Sequence, residues 1–324
     1  MAGAFLVSGP PRMRPPRLAS IDLGTNTVRL LVVEIDTADG WRVLEQDQRV
    51  TRLGEGLTAN GHLGERPMAR TAAVVVEYVR RARRAGASDP RIVATSAVRV
   101  AANGAAFAVA LEQTTGARVQ VVSGEDEARL TVLGIMRGLR RRLGLMRAFD
   151  IGGGSTEYVL ARDGQVTAAV SLRLGVVPLA ERYPFPGAVD GARYRQMEDE
   201  IRGRLRVELP PAIRSAATAD IVGTAGTVTT LAALDLGLAA YDPARVHGHR
   251  LDRAAVERLR DRLGGLTVAE RAALPCLEPG RADLIVPGTA IVLATLEATE
   301  ATAVTVSDWG LREGIMAEAM ERRR

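Results

Sequence analysis

Two stretches decide the fold: ASIDLGTNTVRLLVVEI at residues 19–35 and RAFDIGGGSTEYVLA at residues 147–161. Each reads as an apolar strand ending on an aspartate, Asp22 or Asp150, then a glycine-rich turn, hydroxyl residues and a second strand. Taken singly, Asp-x-Gly is an ordinary turn and Gly-Gly-Gly a flexible one. Repeated after two matching strands, they form an internal repeat at domain scale, which predicts two similar lobes. WRVLEQDQRVTRL (41–53) adds a third strand to the first unit, and the second unit turns back at Asp163-Gly164 as a hairpin.

Outward from these units the periodicity switches between helix and strand. MARTAAVVVEYVRRARRAG (68–86) has helical spacing and stops at Gly86, RIVATSAV (91–98) reads as a buried strand, 102–116 as a helix and 117–122 as a strand. Ser123 followed by Asp126 resembles a capping box and starts a helix over about 125–139, with Glu127 on its first turn. In the second half come a helix over 190–209, a strand, glycine turn and helix over 219–234, and a long helical stretch from about Leu251. The last helix (310–324) is expected to return to the first lobe. The expected boundaries are a Pro/Arg-rich disordered leader at 1–17, a first lobe at 18–124 plus 309–324, and a second lobe at 125–308.

Composition narrows the function. The 324 residues are 47% apolar but only 3% aromatic, so stacking platforms for single-stranded nucleic acid are not indicated. The chain has no lysine: all 43 basic residues are arginine, which binds phosphate bidentately but also accumulates in Ala/Gly/Arg-rich compositions. The net charge of +5 does not decide between these readings. The single cysteine, Cys276, excludes an internal disulfide and fits a reducing compartment. No stretch approaches the roughly 20 apolar residues of a spanning helix, so the sequence predicts a cytoplasmic protein without a membrane or nucleic-acid partner.

The two turns have the chemistry of phosphate loops. Phosphate binding needs backbone N–H groups pointing one way with no side chain in the path, which glycine supplies. Gly152, Gly153 and Gly154 meet that need, with Ser155 and Thr156 as hydroxyl donors; Gly24, Thr25, Asn26 and Thr27 do the same in the first unit. Asp22 and Asp150 stand at strand ends, where a carboxylate reaches a magnesium ion held by phosphates, or manganese in its place. GTAGT (223–227) sits between a strand and a helix, so Gly223, Thr224, Gly226 and Thr227 are candidates for a distal phosphate or a nucleotide, or only a tight connection.

The ordered set IDLGTNTVRLLV, ATSAVR, VVSGEDEARL, FDIGGGSTE, VGTAGTVTTLAAL, RADLIVPG and VSDWGLREG resembles the Ppx/GppA family of exopolyphosphatases and guanosine pentaphosphate phosphohydrolases, over nearly the whole chain after residue 18. The resemblance implies an α/β, two-lobed actin/sugar kinase/Hsp70-like (ribonuclease H-like) fold with an interdomain cleft, and homodimers. It implies that Glu127 activates the attacking water, that Asp150 helps hold magnesium, and that Arg99 contacts substrate. It implies polyphosphate or pppGpp as substrate. Thr25 and Thr27 stand where serine is common in the family, and the chain ends without the C-terminal HD-like extension of longer members, which leaves processive degradation of long chains open.

Other readings compete residue by residue. The acidic first turn Glu125, Asp126 and Glu127 also complements a helix dipole. The run Arg137, Arg140, Arg141, Arg142 and Arg147 reads as a polyphosphate guide or as a solvated helix face. His62, His247 and His249 lack a metal-ligand pattern. A cysteine phosphatase is excluded because Cys276 and Arg281 are separated by four residues instead of five, and a Walker A loop because there is no lysine. The rivals within the superfamily are an ATP-dependent kinase, with GTAGT cradling adenosine, and a nucleotide-operated switch.

Overall fold

The computed structural model describes residues 15–36, 40–139, 144–217 and 221–322. The first 14 positions of the expected leader lie outside the described residues. Arg17, placed in that leader by the sequence, already opens the first strand.

Strands β1 (Arg17–Leu23), β2 (Thr27–Ile35) and β3 (Trp41–Val50) form an antiparallel meander, and β4 (Arg91–Ala94) and β5 (Val119–Val121) add in parallel beyond β1. The order is β3-β2-β1-β4-β5. The second sheet repeats it with β6 (Leu145–Ile151), β7 (Thr156–Arg162), β8 (Gln165–Leu172), β9 (Ile221–Thr224) and β11 (Ala303–Val306), in the order β8-β7-β6-β9-β11, and β10 (Arg250–Asp252) pairs outside β11. The repeat seen in sequence is therefore a repeat of topology, and the fold is the two-lobed α/β one that it implied.

Helices cover both faces of each sheet, which is why β1 and β2 read as near-continuous apolar runs instead of alternating. Helix Glu65–Arg84 buries Thr71, Val74, Val75, Tyr78, Val79 and Ala82, a stripe at three- and four-residue spacing, against the first sheet. Helices Gly191–Glu208, Ala225–Asp235, Arg253–Gly264 and Ile285–Ala298 enclose the larger core of the second.

Two helices pass between the sheets. Gly124–Leu139 leads from β5 to β6, and Leu311–Glu321 leads from β11 back onto β1 and β2. They cross with backbones in contact: a Cβ on Gly134 would lie 2.0 Å from the Gly310 carbonyl oxygen, and one on Gly314 would lie 1.8 Å from that of Leu130. Close by, Trp41 of β3 stacks on Trp309 at a ring separation of 5.2 Å, and the Arg137 guanidinium lies 4.6 Å from the Trp41 ring centre.

Several local expectations need correction. The strand expected over 91–98 ends at Ala94, and Ser96–Val100 is a short helix. The helical stretch expected from about Leu251 is present but begins at Arg253, after Leu251 in β10. Within the arginine run, Arg140, Arg141 and Arg142 lie outside the described residues. Arg147 is buried and donates to the carbonyls of Thr299, at 2.7 Å, and Arg214, so it belongs to no solvated face. The cap at Ser123 is present, its hydroxyl oxygen accepting from Asp126 N–H at 3.0 Å. The turn at Asp163-Gly164 has both residues at positive φ, 50° and 82°, as a primed two-residue hairpin requires. Among the described residues no helix is long and apolar enough to cross a membrane.

Candidate active site

The two glycine turns are built alike. Gly24 N–H donates to the Thr27 carbonyl at 3.1 Å, and Gly152 N–H donates to the Ser155 carbonyl at 2.9 Å. In each loop the outward carbonyls are already taken. Thr25 O accepts from Gly54 N–H, and Asn26 O accepts from Thr51 and Arg52 N–H. Gly152 O and Gly153 O accept from Val176 and Val177 N–H. A trans peptide points its N–H opposite to its C=O, so the N–H groups of Asn26, Thr27, Gly153 and Gly154 turn away from those anchors. The loops meet each other: a Cβ on Gly153 would lie 3.0 Å from Asn26 N, and one on Gly154 would lie 2.8 Å from Thr25 Oγ1. Gly175, which opens the helix Val176–Arg182, is required because a Cβ there would fall 2.3 Å from Gly153 O.

A cavity between the loops is lined by Asp22, Thr25, Thr27, Glu127, Asp150 and Ser155, together with Arg29 and Arg281. Glu127 sits on the first turn of its helix, 2.8 Å from Arg99 Nη1, which also donates to the Val122 carbonyl. Burial pushes its carboxyl well above the usual range, and the Glu157 charge pushes it further. Asp150 is pushed up to about 7 by burial, then by Glu157. Asp22 is also raised by burial, against the opposing pull of Arg29, whose Nη1 lies 3.7 Å from its Oδ2.

Cation binding can be tested against this donor set. Asp22 is buried and Asp150 half-buried at equivalent strand ends, and the charge of Asp22 raises the Asp150 carboxyl. A divalent cation between them would relieve that cost. Among the described residues no three His, Cys, Asp or Glu side chains form a metal cage. Two carboxylates without a closed cage fit a hard cation that keeps waters and takes phosphate oxygens, and do not fit structural zinc.

Most of the residues singled out by the sequence converge here, but some do not. Arg99 touches Glu127 and does not line the cavity. The Thr156 hydroxyl is fully buried and donates to the Leu174 carbonyl, so it is not a phosphate donor. Gly223 is set in the core between Phe149 and Val304. Thr224 donates to the Trp309 carbonyl, while Gly226 and Thr227 do reach the cavity. There the Arg281 guanidinium covers Gly226, where a Cβ would lie 2.0 Å from Arg281 Nη1. Buried and close to Arg29, Arg281 is pushed down to about 10. Its own partners are Glu278 at 3.2 Å and, at 3.4 Å each, Thr27 Oγ1 and Gln48 Oε1.

Three residues were missed. Glu157 is fully buried, accepting from Ser155 Oγ at 2.7 Å and Ser171 Oγ at 2.6 Å. Its register partner across the hairpin is Asp150, as Arg29 is the partner of Asp22. The signal was available: each is a charge inside an apolar strand, seven positions after the loop aspartate. Arg281 is the third; it opens the RADLIVPG motif, but nothing in that motif shows that it reaches the loops.

Paired glycine loops closing on a set of carboxylates are the arrangement of a phosphoryl-handling enzyme of the two-lobed actin/sugar kinase/Hsp70-like class. The model of the Ppx/GppA phosphatase family matches residues 31–323, and the chain belongs to that family. Exopolyphosphatase 2 of Mycobacterium tuberculosis is 34% identical over 317 residues, covering 92% of this chain and 97% of that protein. A Ppx/GppA family member from Aquifex aeolicus superposes with a TM-score of 0.81 at 31% identity, over 95% of this chain and 99% of that one. An exopolyphosphatase from Cytophaga hutchinsonii superposes at 0.87 with 25% identity, over 94% and 98% of the two chains.

Proposed function

We propose that this chain is an exopolyphosphatase that releases terminal orthophosphate from inorganic polyphosphate by in-line attack of water. The observation that carries the reading is Glu127. Its buried carboxyl, raised by its surroundings and held by Arg99, is a stronger base than a free glutamate and stands in the cavity between the two phosphate loops.

The leaving group of a phosphoanhydride is already a stable anion, so no strong general acid is needed. Glu127 removes the proton of the attacking water, and Arg99 orients Glu127. The loop N–H groups and the Thr25 hydroxyl hold the terminal oxygens. Arg29 and Arg281, adjacent and mutually repelling, suit the next phosphate group. Magnesium, with manganese as a substitute, would be held by Asp150 and Asp22 and supplies charge neutralisation on the transferred group. Residues 18–124 with 309–324 and residues 125–308 would move as two lobes about the crossing of the helices Gly124–Leu139 and Leu311–Glu321, a reading supported by the packing of the last helix on β1 and β2.

The kinase alternative requires GTAGT to receive a nucleotide, and the Arg281 guanidinium over Gly226 argues against it. The test is phosphate release with magnesium from short polyphosphate, long polyphosphate, pppGpp and ATP in parallel. Release from polyphosphate without an acceptor supports the reading. Consumption of ATP alone overturns it, and preference for pppGpp would move the substrate within the family.

A further inference from the structure

The catalytic cavity adjoins two others. One, of about 580 Å³, shares Arg29, Asp150, Gly226 and Arg281 with it. There Arg29, Arg281 and Arg312 are outnumbered by five carboxylates, among them Asp47 and Asp308. The other, of about 280 Å³, shares Thr25, Ser96 and Gly154. These three meet at one point, since a Cβ on Gly154 would lie 2.8 Å from Thr25 Oγ1 and 2.9 Å from Ser96 Oγ. Beyond that boundary the charge balance is reversed: Arg173, Arg182 and Arg204 line the cavity against the single carboxylate Glu200. Glu200 is shared by Arg182, at 2.6 Å, and Arg204, at 3.4 Å, and also accepts from Tyr183. Arg173 has no carboxylate partner among the described residues and is exposed to the cavity. The cavity lies between the two sheets, and its neighbour Gly56 N–H donates to Glu181 across the cleft at 2.9 Å.

We propose that this arginine-lined cavity is a second phosphate-binding chamber, entered from the catalytic cavity at Thr25, Ser96 and Gly154. Its ligand is the phosphate group, from either of two sources: the part of a polyphosphate beyond its terminal group, or the released orthophosphate. The naming of these sources rests on the exopolyphosphatase reading; the chamber itself rests on the excess of arginine beside the phosphate loops. Guanidinium pairs with phosphate bidentately, and a cleft lined by one sign of charge raises the local concentration of its counter-ion.

The test compares Arg173→Glu with Arg258→Glu, a control reversal at an exposed helix position outside the chamber, and with Arg173→Lys. Arg173 is exposed, so its variants are expected to fold, which thermal unfolding checks. Equilibrium binding of tripolyphosphate, long-chain polyphosphate and orthophosphate is measured for each, independently of turnover. Weakening of long-chain polyphosphate by about tenfold or more in Arg173→Glu, with tripolyphosphate changed less than about twofold and recovery in Arg173→Lys, assigns the chamber to the chain. Weakening of orthophosphate by a similar factor, with both polyphosphates unchanged, assigns it to the product. Equal affinities for all three ligands in Arg173→Glu and Arg258→Glu overturn the chamber. Loss of chamber binding in Arg173→Glu from a protein that hydrolyses no polyphosphate would sink the proposed activity and leave the chamber standing.

Discussion

The hairpins β1–β2 and β6–β7 share strand order, turn geometry and a loop aspartate, and they differ at the seventh residue after that aspartate. In the first, Asp22 faces Arg29; in the second, Asp150 faces Glu157. One loop therefore has its carboxylate partly neutralised and presents a guanidinium to the cavity. The other carries a second carboxylate, fully buried, which pushes Asp150 and Glu127 upward. Under the proposed function, the symmetric repeat would make a cradle, and the asymmetry at one register position would separate a holding side from a reacting side.

That division can be broken most directly at Glu127. Glu127→Gln keeps the shape and removes the base, so kcat should fall about 1,000-fold or more with substrate binding retained, read as phosphate release against equilibrium binding. Next in size, Glu157→Gln lowers the pressure on Glu127 and should reduce kcat roughly 100-fold, with the acid limb of the pH–rate profile shifted down. Arg29→Glu makes the first hairpin resemble the second. It should raise KM for polyphosphate about tenfold while changing kcat less, and an effect confined to kcat would contradict the holding role.

The smallest effects concern stability. Asp150 binds its proton more tightly folded than unfolded, so its ionisation costs stability increasingly as pH rises from its ordinary value to about 7. A divalent cation held there would cancel that cost, so its stabilising effect on Tm should be larger at pH 8 than at pH 5. By the same sign, Asp150→Asn should raise the Tm of the metal-free protein at pH 8 by a few degrees, roughly 2–4 °C for each kcal/mol relieved, and remove the response to magnesium. Asp22→Asn should do less, because Arg29 already offsets part of its charge.

What the sequence made legible was local. The loops, the Ser123 cap and the Asp163-Gly164 turn are set by residues within a few positions of one another, so spacing alone identifies them. The ATSAVR run was ambiguous, since a short apolar segment suits strand and helix equally, and the sheet pairs only Arg91–Ala94. Contacts made by folding at long range were not legible. Arg281 reaches Thr27 from 254 positions away, and Arg147 meets Thr299 from 152 away. Thr156 looked like a phosphate donor because its hydroxyl is beside the glycines, but strand alternation turns it toward Leu174.

The stack of Trp41 on Trp309 joins the edge of the first sheet to the segment leaving the second, and these are the chain's only tryptophans. Arg137, which the proposed boundaries place in the other lobe, lies 4.6 Å from the Trp41 ring centre, so any opening of the cleft that withdraws this guanidinium would change the environment of the stacked indoles. Intrinsic emission then becomes an optical gauge of lobe closure, readable in the unlabelled protein as polyphosphate is titrated in.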